Sequence, residues 1–323
     1  MGEGGGGVRC EGRLMGARPV IIEARVNEWA LRGANPHVPW SPEEIADDAE
    51  RCWRAGASIV HFHVRRPDGS GSHDTELYAR TIRAIRQRCD ILIHPTLAGV
   101  VTPTARERLA PLRSLLDDPA TRPDFVPIDM GSTNLDVYDP LQRRFHTEEK
   151  TYVNTVRTIR EIGDVLREAG IAPLLCAWTV PCLRTIDAFI DAGWLAEPLL
   201  VCIVLTEGGI LGGHPGTLEG LASMTRFLPP SRALEWSVAC REGSLLALAQ
   251  AAIGQGGHVA IGLGDHAYAE DGAPSNAQLV ARVAGYAAAA GRPVASVRQT
   301  RELLKMDRRH TATETATLTD RTS

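Results

Sequence analysis

The sequence predicts an α/β fold of the TIM (β/α)8 barrel type, and three observations lead to that prediction. The chain has 323 residues, which is ample for a barrel of ~250 residues. Short apolar segments alternate with amphipathic segments eight times along it. The apolar segments are almost continuously hydrophobic, which is typical of parallel strands buried on both faces. No linker divides the eight units, so we expect one barrel domain over residues 19–307, with disordered ends at residues 1–18 and 308–323.

The first half of the chain contains four strand and helix units. The first helix has a strong start, because Ser41 can cap it, Pro42 suits the first turn and Glu44 completes a capping box. We predict strands at residues 19–27, 57–65, 90–97 and 124–132, and helices at residues 41–56, 74–89, 102–116 and 147–169.

The second half repeats the pattern. We predict strands at residues 171–178, 198–207, 234–240 and 258–265, and helices at residues 183–192, 218–227, 244–254 and 275–290. A short helix at residues 296–306 is expected to pack outside the barrel. A doubly wound sheet would usually have fewer units and a glycine-rich first turn, whereas the first strand here ends in Asn27 and Glu28.

Composition narrows the class of protein. A hydrophobic fraction of 44% and a charged fraction of 23% are those of a globular enzyme. The formal net charge of −4 gives no basic field for nucleic acid, and no apolar run reaches the ~20 residues of a membrane span. The seven cysteines are scattered without a C-x-x-C pair, which favours a reducing, cytoplasmic location. We therefore expect neither a nucleic-acid nor a membrane partner.

His61 and His63 are the residues on which the functional prediction rests. They lie two apart in a predicted strand, so their side chains point to the same face. Two imidazoles that converge at a strand end can form half of a site for a divalent metal, although they could equally be hydrogen-bonded residues of a polar rim. A catalytic zinc normally takes three protein ligands, so this pair requires a third.

In such a barrel the catalytic groups lie at the carboxyl ends of the strands, which places His61 and His63 on the functional face. The polar or potentially reactive residues predicted at those ends are Asn27, Glu28, His61, His63, Arg65, His94, Thr96, Gly99, Asp129, Ser132, Asn134, Cys176, Trp178, Thr179, Thr206, Glu207, Arg241, Glu242, Asp265 and His266. For His94, His258 and His266 we favour hydrogen-bonded structural roles. Cys176 is expected to be a buried small hydrophobe rather than a nucleophile.

Four segments resemble the β-keto acid cleavage enzyme family. Residues 35–44 are similar to its N-P-x-x-P-x-[ST]-P-E-E segment, and residues 55–69 contain the A-G-A-x-I-V-H-x-H-x-R-x-x-D-G signature almost unbroken. Residues 256–265 match G-G-H-x-R-x-G-x-E-D in part, and residues 274–280 match the S-N-A-x-L-V helix start. The resemblance implies a zinc-dependent barrel, usually a homotetramer. It would transfer acetyl from acetyl-CoA to a β-keto acid, giving acetoacetate and a new acyl-CoA.

The resemblance also implies roles for individual residues. His61 and His63 would hold the metal against the keto oxygen and the carboxylate of the substrate. Thr96 falls at a family serine and Ser132 at a family threonine, both able to orient the carboxylate. Asp265 falls on a family aspartate at the end of strand 8. Glu28, after a one-residue insertion, falls on the glutamate that meets the far end of the substrate.

Three departures from the family pattern affect the same pocket. Gly264 replaces the glutamate that is the family's third metal ligand, Ala260 replaces an arginine, and Cys176 replaces a glutamate of strand 5. We therefore expect a different substrate and a third ligand from a neighbouring strand. Strand 1 lies between strands 8 and 2 in a closed barrel, so Glu28 is the first candidate, ahead of Glu242 and Glu207. A solvated or substrate-binding Glu28 is the alternative.

Three functions fit this sequence. The first is metal-dependent cleavage of a β-keto acid by acyl transfer, with acetyl-CoA as co-substrate. The second is a metal-dependent lyase or hydrolase that acts on a small carboxylate without CoA. The third is a non-catalytic family member that binds a small carboxylate. Consumption of CoA separates the first two, and the absence of bound metal would favour the third.

Overall fold

Eight parallel strands form a nearly closed TIM barrel, as the sequence predicts. The computed structural model describes residues 17–97 and 104–306. Nearly all of both end segments predicted as disordered, and Gly99, lie outside those residues. The barrel strands are β1 (Ile22–Arg25), β2 (Ile59–Phe62), β3 (Leu92–Pro95), β4 (Phe125–Asp129), β5 (Ala172–Ala177), β6 (Leu199–Thr206), β7 (Leu234–Arg241) and β8 (His258–Ile261).

The strand order is β3-β2-β1-β8-β7-β6-β5-β4. The barrel closes between the two outer strands of this order, where the backbone N–H of Asp124 donates to the carbonyl of Ile93 at 2.9 Å. Strand β1 pairs with β8 through Glu23 and Ala260 and with β2 through Arg25 and His61. The expected position of strand 1 between strands 8 and 2 is therefore confirmed.

Nine α-helices occur in the described residues. They are α1 (Pro42–Ala55), α2 (Thr75–Arg86), α3 (Ala105–Arg113), α4 (Val156–Glu168), α5 (Val180–Asp191), α6 (Leu218–Thr225), α7 (Leu246–Gly254), α8 (Asn276–Ala289) and α9 (Val297–Leu303). The capping box of α1 is present, with Ser41 accepting from the N–H of Glu44 and Glu44 accepting from the N–H of Ser41. None of these helices is long and apolar enough to cross a membrane.

The predicted helix over residues 147–169 is wrong in its first third. Helix α4 begins at Val156, after Thr155 caps it by accepting from the N–H of Thr158. Residues 133–152 instead cross the barrel mouth as two small hairpins, in which Thr133–Asn134 pairs with Thr151–Tyr152 and Tyr138–Asp139 pairs with Arg144–Phe145. We call residues 133–152 the crossing segment. Strand β8 is also shorter than predicted, since it ends at Ile261.

Alternation along β1 shows how the barrel presents polar groups to its interior. Ile22 and Ala24 are buried in the large cluster between strands and helices. Glu23 and Arg25, on the opposite face, are buried inside the barrel. Charged residues in an apolar strand therefore point towards the centre, directly below the functional face.

Candidate metal centre and active site

The histidine pair stands where the sequence predicts it. His61 lies in β2 and His63 one step beyond, and both are buried with their rings 5.3 Å apart. Asn27 joins the ends of β1 and β2, because its side chain accepts from the N–H of His63 at 2.8 Å and donates to the carbonyls of His63 and Pro39. The two imidazoles are thus held by a strand end that is tied to its neighbour.

Glu28 meets both histidines. Its Oε1 lies 3.0 Å from Nε2 of His61 and its Oε2 lies 2.8 Å from Nε2 of His63. These three side chains offer ligand atoms that all lie within 4.8 Å of one another, and all three are buried. Arg65 holds the backbone beneath them by donating to the carbonyls of Asn27 and Glu28.

Gly264 supplies the space that Glu28 occupies. A Cβ atom at position 264 would lie 2.5 Å from Cγ and 2.9 Å from Cβ of Glu28, which is far closer than two carbon atoms approach. Any side chain at position 264 would therefore compete with Glu28 for one place beside the histidines. Glu28 can take this position only because residue 264 is a glycine.

The hydrogen bonds of His61 determine which of its ring nitrogens faces Glu28. Nδ1 of His61 lies 2.9 Å from the carbonyl of His94, and a carbonyl only accepts, so Nδ1 carries a proton. Burial lowers the pKa of His61 to about 4, so at pH 7 the ring is neutral and its Nε2 has a lone pair. That lone pair faces an oxygen of Glu28, whose pKa Arg25, His63 and His61 hold well below its usual range despite burial. In the neutral form of the ring, a divalent cation could be held between this nitrogen and the carboxylate.

Arg25 is a functional candidate that the sequence prediction missed. Its guanidinium contacts a carboxylate oxygen of Glu28, and its Nε lies 2.6 Å from Oδ2 of Asp265. On the neighbouring strand β8, the small residue Ala260 pairs with Glu23, two residues before Arg25. The signal was the alternation of charged and apolar residues in β1, which placed Arg25 on the inner face.

Asp265 has the properties of a proton acceptor. Its carboxylate is buried, and Oδ1 has no hydrogen-bond partner among the described residues. Burial raises the pKa of Asp265 to about 6, although the charge of Arg25 opposes that rise. Such a carboxylate is ionised near neutral pH and still basic enough to take a proton.

The cavity above these groups has a volume of about 570 Å³. Arg241 enters it at the end of β7, with Nη1 3.8 Å from Oε2 of Glu28 and 4.0 Å from Oδ1 of Asp265. Glu242 lies at its rim with a side chain 51% exposed. The polar residues that line the cavity are Arg25, Glu28, His61, His63, His94, Thr96, Arg108, Asp129, Lys150, Asn154, Arg241, Glu242 and Asp265.

The structure brings some of the other candidate residues into this site and leaves others outside. Thr96 and Cys176 line the cavity, and Cys176 is a buried residue whose pKa burial raises well above its usual range, as expected of a small hydrophobe. Ser132 is exposed and does not line the cavity, because its Oγ accepts from the N–H of Asn154 at 2.8 Å. Glu207 instead accepts from the N–H of Gly216 at 2.9 Å in a loop.

His94, His258 and His266, for which we predict structural roles, each lie within hydrogen-bond distance of a glutamate, and His94 with Glu23 and His61 forms a second buried group that could hold a metal. His94 lies 2.6 Å from Oε1 of Glu23, and His258 lies 2.9 Å from Oε2 of Glu235. His266 lies 2.5 Å from Oε1 of Glu270. His94 also packs against His61 with ring centroids 4.5 Å apart, so it supports the pair from below.

Comparison with known proteins identifies the family of the chain. Residues 19–306 match the family model of the beta-keto acid cleavage enzymes. The chain is 31% identical over 290 residues to a 3-keto-5-aminohexanoate cleavage enzyme of Fusobacterium nucleatum, covering 89% of this chain and 97% of that protein. It is 29% identical over 294 residues to a 3-oxoadipate:acetyl-CoA acetyltransferase of Cupriavidus necator, covering 89% of this chain and 95% of that protein.

Among solved structures, the apo structure of ObcA resembles the barrel with a TM-score of 0.68 at 14% identity, covering 84% of this chain and 66% of that one. That likeness supports the fold alone. The family model spans nearly all of the described residues, and the histidine pair lies within it. The chain therefore belongs to the β-keto acid cleavage enzyme family.

Proposed function

We propose that the protein is a zinc-dependent enzyme that cleaves a β-keto acid by acyl transfer in the retro-Claisen sense. The acid R–CO–CH2–COO⁻ and acetyl-CoA would give acetoacetate and R–CO–CoA. C2 of the acid would bond to the acetyl carbonyl carbon as the thioester of acetyl-CoA breaks. The released CoA thiolate would then take R–CO as a new thioester while the bond between C2 and C3 of the acid breaks. The observation that carries this proposal is the convergence of His61, His63 and Glu28 beside a buried aspartate at the carboxyl end of the barrel. Curated relatives with acetyl-CoA in their names support the co-substrate.

His61, His63 and Glu28 would hold the metal, with Glu28 as the third ligand. A divalent cation there supplies Lewis acidity towards the keto oxygen of the substrate. Two imidazoles and one carboxylate are a donor set that zinc favours, and Glu28 lies 2.8–3.0 Å from both rings. Gly264 leaves room for this ligand to come from the end of β1.

Charge balance supports an anionic substrate. Arg25 and Arg241 are matched by the carboxylates of Glu28 and Asp265, so a divalent cation leaves two positive charges in excess. The substrate carboxylate brings one negative charge, and a second develops on the substrate when its C2 proton passes to Asp265, which then becomes neutral. The site is therefore complementary to the charge of the reacting acid.

The remaining residues would orient the acid and move its proton. Asp265 takes the C2 proton on Oδ1, while Arg25 holds its other oxygen. Arg241 can turn from its long contacts towards the substrate carboxylate, and Thr96 lines the same end of the cavity. Ser132, which the resemblance implies as a second hydroxyl, is not part of the proposed set because of its contact with Asn154.

Product analysis tests this function. Purified protein with bound zinc is incubated with a panel of β-keto acids, with and without acetyl-CoA, and the products are identified by mass spectrometry. We expect acetoacetate and acyl-CoA in equal amounts, and only when acetyl-CoA is present. Cleavage without CoA would instead support the lyase or hydrolase, and binding without cleavage would support the non-catalytic member. The homotetramer and the cytoplasmic location stay predictions, which sedimentation and cell fractionation can check.

A further inference from the structure

The far side of the cavity is apolar. Opposite the charged end, it is lined by Leu135 and Val137 of the crossing segment, Trp178 after β5, Val204 of β6 and Ile210 of the next loop. Trp178, Val204 and Ile210 are at most 9% exposed. We call these five residues the apolar wall.

The apolar wall is fixed by backbone contacts between two loops. Val137 forms a β-bridge with Ile210, and the N–H of Tyr138 donates to the carbonyl of Gly209 at 2.9 Å. The hydroxyl of Thr133 donates to the carbonyl of Gly212 at 2.5 Å. These bonds hold the crossing segment against the loop after β6, so the wall keeps its shape without a bound molecule.

The apolar wall continues the hydrophobic interior of the barrel. Leu135 packs against the inner cluster that contains Cys176, Trp178 and Val204. A group placed against Leu135 and Trp178 therefore leaves water for a surface of carbon atoms, which is favourable for alkyl and aryl groups and costly for charged ones.

Two of the carboxylates that line the cavity, Asp129 and Glu28, are already engaged. Asp129 accepts from the hydroxyl of Tyr152 at 2.6 Å and from Nε1 of Trp178 at 2.7 Å, one bond to each oxygen. Glu28 is held by the two histidines and Arg25. Asp129 and Glu28 are therefore not left to bind a substrate ammonium group, and Glu242, which also lines the cavity, lies at the rim with its side chain half exposed beside Arg241.

The basic residues near the apolar wall do not favour an acidic side chain either. Arg108 donates to the side chain of Asn154 and to the carbonyl of Val153, and its guanidinium lies over the ring of Tyr152. Lys150 is exposed at the rim, where water and salt weaken its attraction for a carboxylate.

We propose that the acyl group R of the substrate is apolar, an alkyl or aryl chain that lies against Leu135, Val137, Trp178 and Ile210. This inference rests on the proposed function, because it assumes that the keto acid end is held beside His61, His63 and Asp265. Each methylene of R that is buried against the apolar wall is expected to tighten binding about fourfold.

Binding of matched β-keto acids, measured by calorimetry on the zinc-bound protein without acetyl-CoA, tests this inference. The two pairs match in size but differ in charge: 6-methyl-3-oxoheptanoate with 3-oxoadipate, and 5-methyl-3-oxohexanoate with 5-amino-3-oxohexanoate. We expect the apolar member of each pair to bind at least about tenfold more tightly. Equal binding within the pairs, or tighter binding of a charged member, would overturn the inference.

Two variants of the crossing segment identify the surface responsible. Val137→Asp places a charge on the apolar wall and should reduce the preference for the apolar acids about tenfold or more. Leu141→Asp makes the same kind of change at a residue 94% exposed on the same segment and should leave the preference unchanged. Ile210→Ala provides a milder change, expected to weaken binding of 6-methyl-3-oxoheptanoate severalfold without affecting 3-oxobutanoate.

The proposed function and this inference can fail separately. If no acid yields acetoacetate with acetyl-CoA, the proposed function is wrong, whereas the binding series still reports what the cavity accepts. If acetoacetate forms but the variant Val137→Asp keeps the full apolar preference, the reaction stands and the apolar wall is not the acyl subsite.

Discussion

Glu28 has the left-handed backbone conformation, with φ of 32°, which glutamate seldom adopts. Such a residue persists only where its surroundings hold it, and here Arg65 donates to its carbonyl while Asn27 anchors the preceding position. The conformation turns the carboxylate of Glu28 towards His61 and His63. The local strain is thus used to bring one acidic group to the histidine pair.

Glu28→Gln is expected to reduce metal binding. An amide keeps the size of the side chain but lacks the negative charge that holds a cation, so zinc affinity should fall about 100-fold or more. Elemental analysis and competition with a chelator measure the loss. Glu242→Gln is the matched control, because that carboxylate lies at the rim and is half exposed. Unchanged zinc content in Glu28→Gln would exclude Glu28 as the third ligand.

Asp265→Asn is expected to lower kcat by about 10²–10⁴-fold, since an amide cannot accept the C2 proton. Because burial raises the pKa of Asp265 to about 6, the ionised form grows as the pH rises through that value. Wild-type activity should therefore increase between about pH 5 and pH 7, as expected for titration around that pKa. The variant should lose this rise while it keeps its zinc. A variant with the wild-type pH profile would show that another group is the base.

Gly264→Ala tests the space shared with Glu28. The added methyl would lie 2.5 Å from Cγ of Glu28, so the variant should lose about 1–3 kcal/mol of stability and bind zinc more weakly. Gly285→Ala is the control, since nothing lies within 4 Å of its added methyl and the residue is inside α8. Thermal unfolding and zinc titration of both variants measure the effect. Equal results at the two positions would contradict the steric argument.

At the scale of elements, the ends of β1 and β2 depend on Asn27. Its side chain makes three buried hydrogen bonds, two of them with the backbone of His63. A strand end held in this way keeps His63 in line with Glu28. The Asn27 side chain therefore stabilises the fold and also positions the site residues.

Asn27→Ala should destabilise the protein by about 2–4 kcal/mol, because three buried backbone groups lose their partner. Urea unfolding measures this loss, and zinc affinity should fall with it. Ser275→Ala is the comparison variant, because it removes only the cap of α8 and should cost about 1 kcal/mol with zinc affinity unchanged. If Asn27→Ala binds zinc as tightly as the wild type, the hydrogen bonds of Asn27 do not position the site.

For the whole molecule, bound metal should add stability to the barrel. The three proposed ligands come from the ends of two neighbouring strands, so an unfolded chain does not hold them together. At a free zinc concentration 100 times Kd, the gain is about 2.7 kcal/mol. Treatment with a chelator should therefore lower Tm, and added zinc should restore it.

The stabilisation by zinc should also shrink as the pH falls through about 4, because burial lowers the pKa of His61 to that value and protons compete with the metal only there. Scanning calorimetry of the zinc-bound and chelator-treated protein across pH measures the difference between the two Tm values. A difference that stays constant down to pH 4 would contradict the assignment of these ligands.

The sequence by itself determined what depends on local pattern. Eight alternating units predicted the barrel, and the spacing of His61 and His63 placed both rings on one face, since side chains alternate along a strand. The signal for Arg25 was equally local, in the charges that alternate with apolar residues in β1. The helix over residues 147–169 was mistaken because its first residues are held by pairing with residues 133–134 rather than by their own helical preference.

Only the tertiary structure decided how the charges combine. Arg25 meets Asp265, and Glu28 fills the space at Gly264, through the pairing of β1 with β8, which are distant in the chain. The left-handed conformation of Glu28 depends on its tertiary contacts, because glutamate has no local preference for that conformation. The apolar wall likewise depends on two loops that meet across the barrel mouth. Periodicity is a property of residues that are neighbours in the sequence. These contacts join segments that are distant in the sequence, so they form only when the barrel folds.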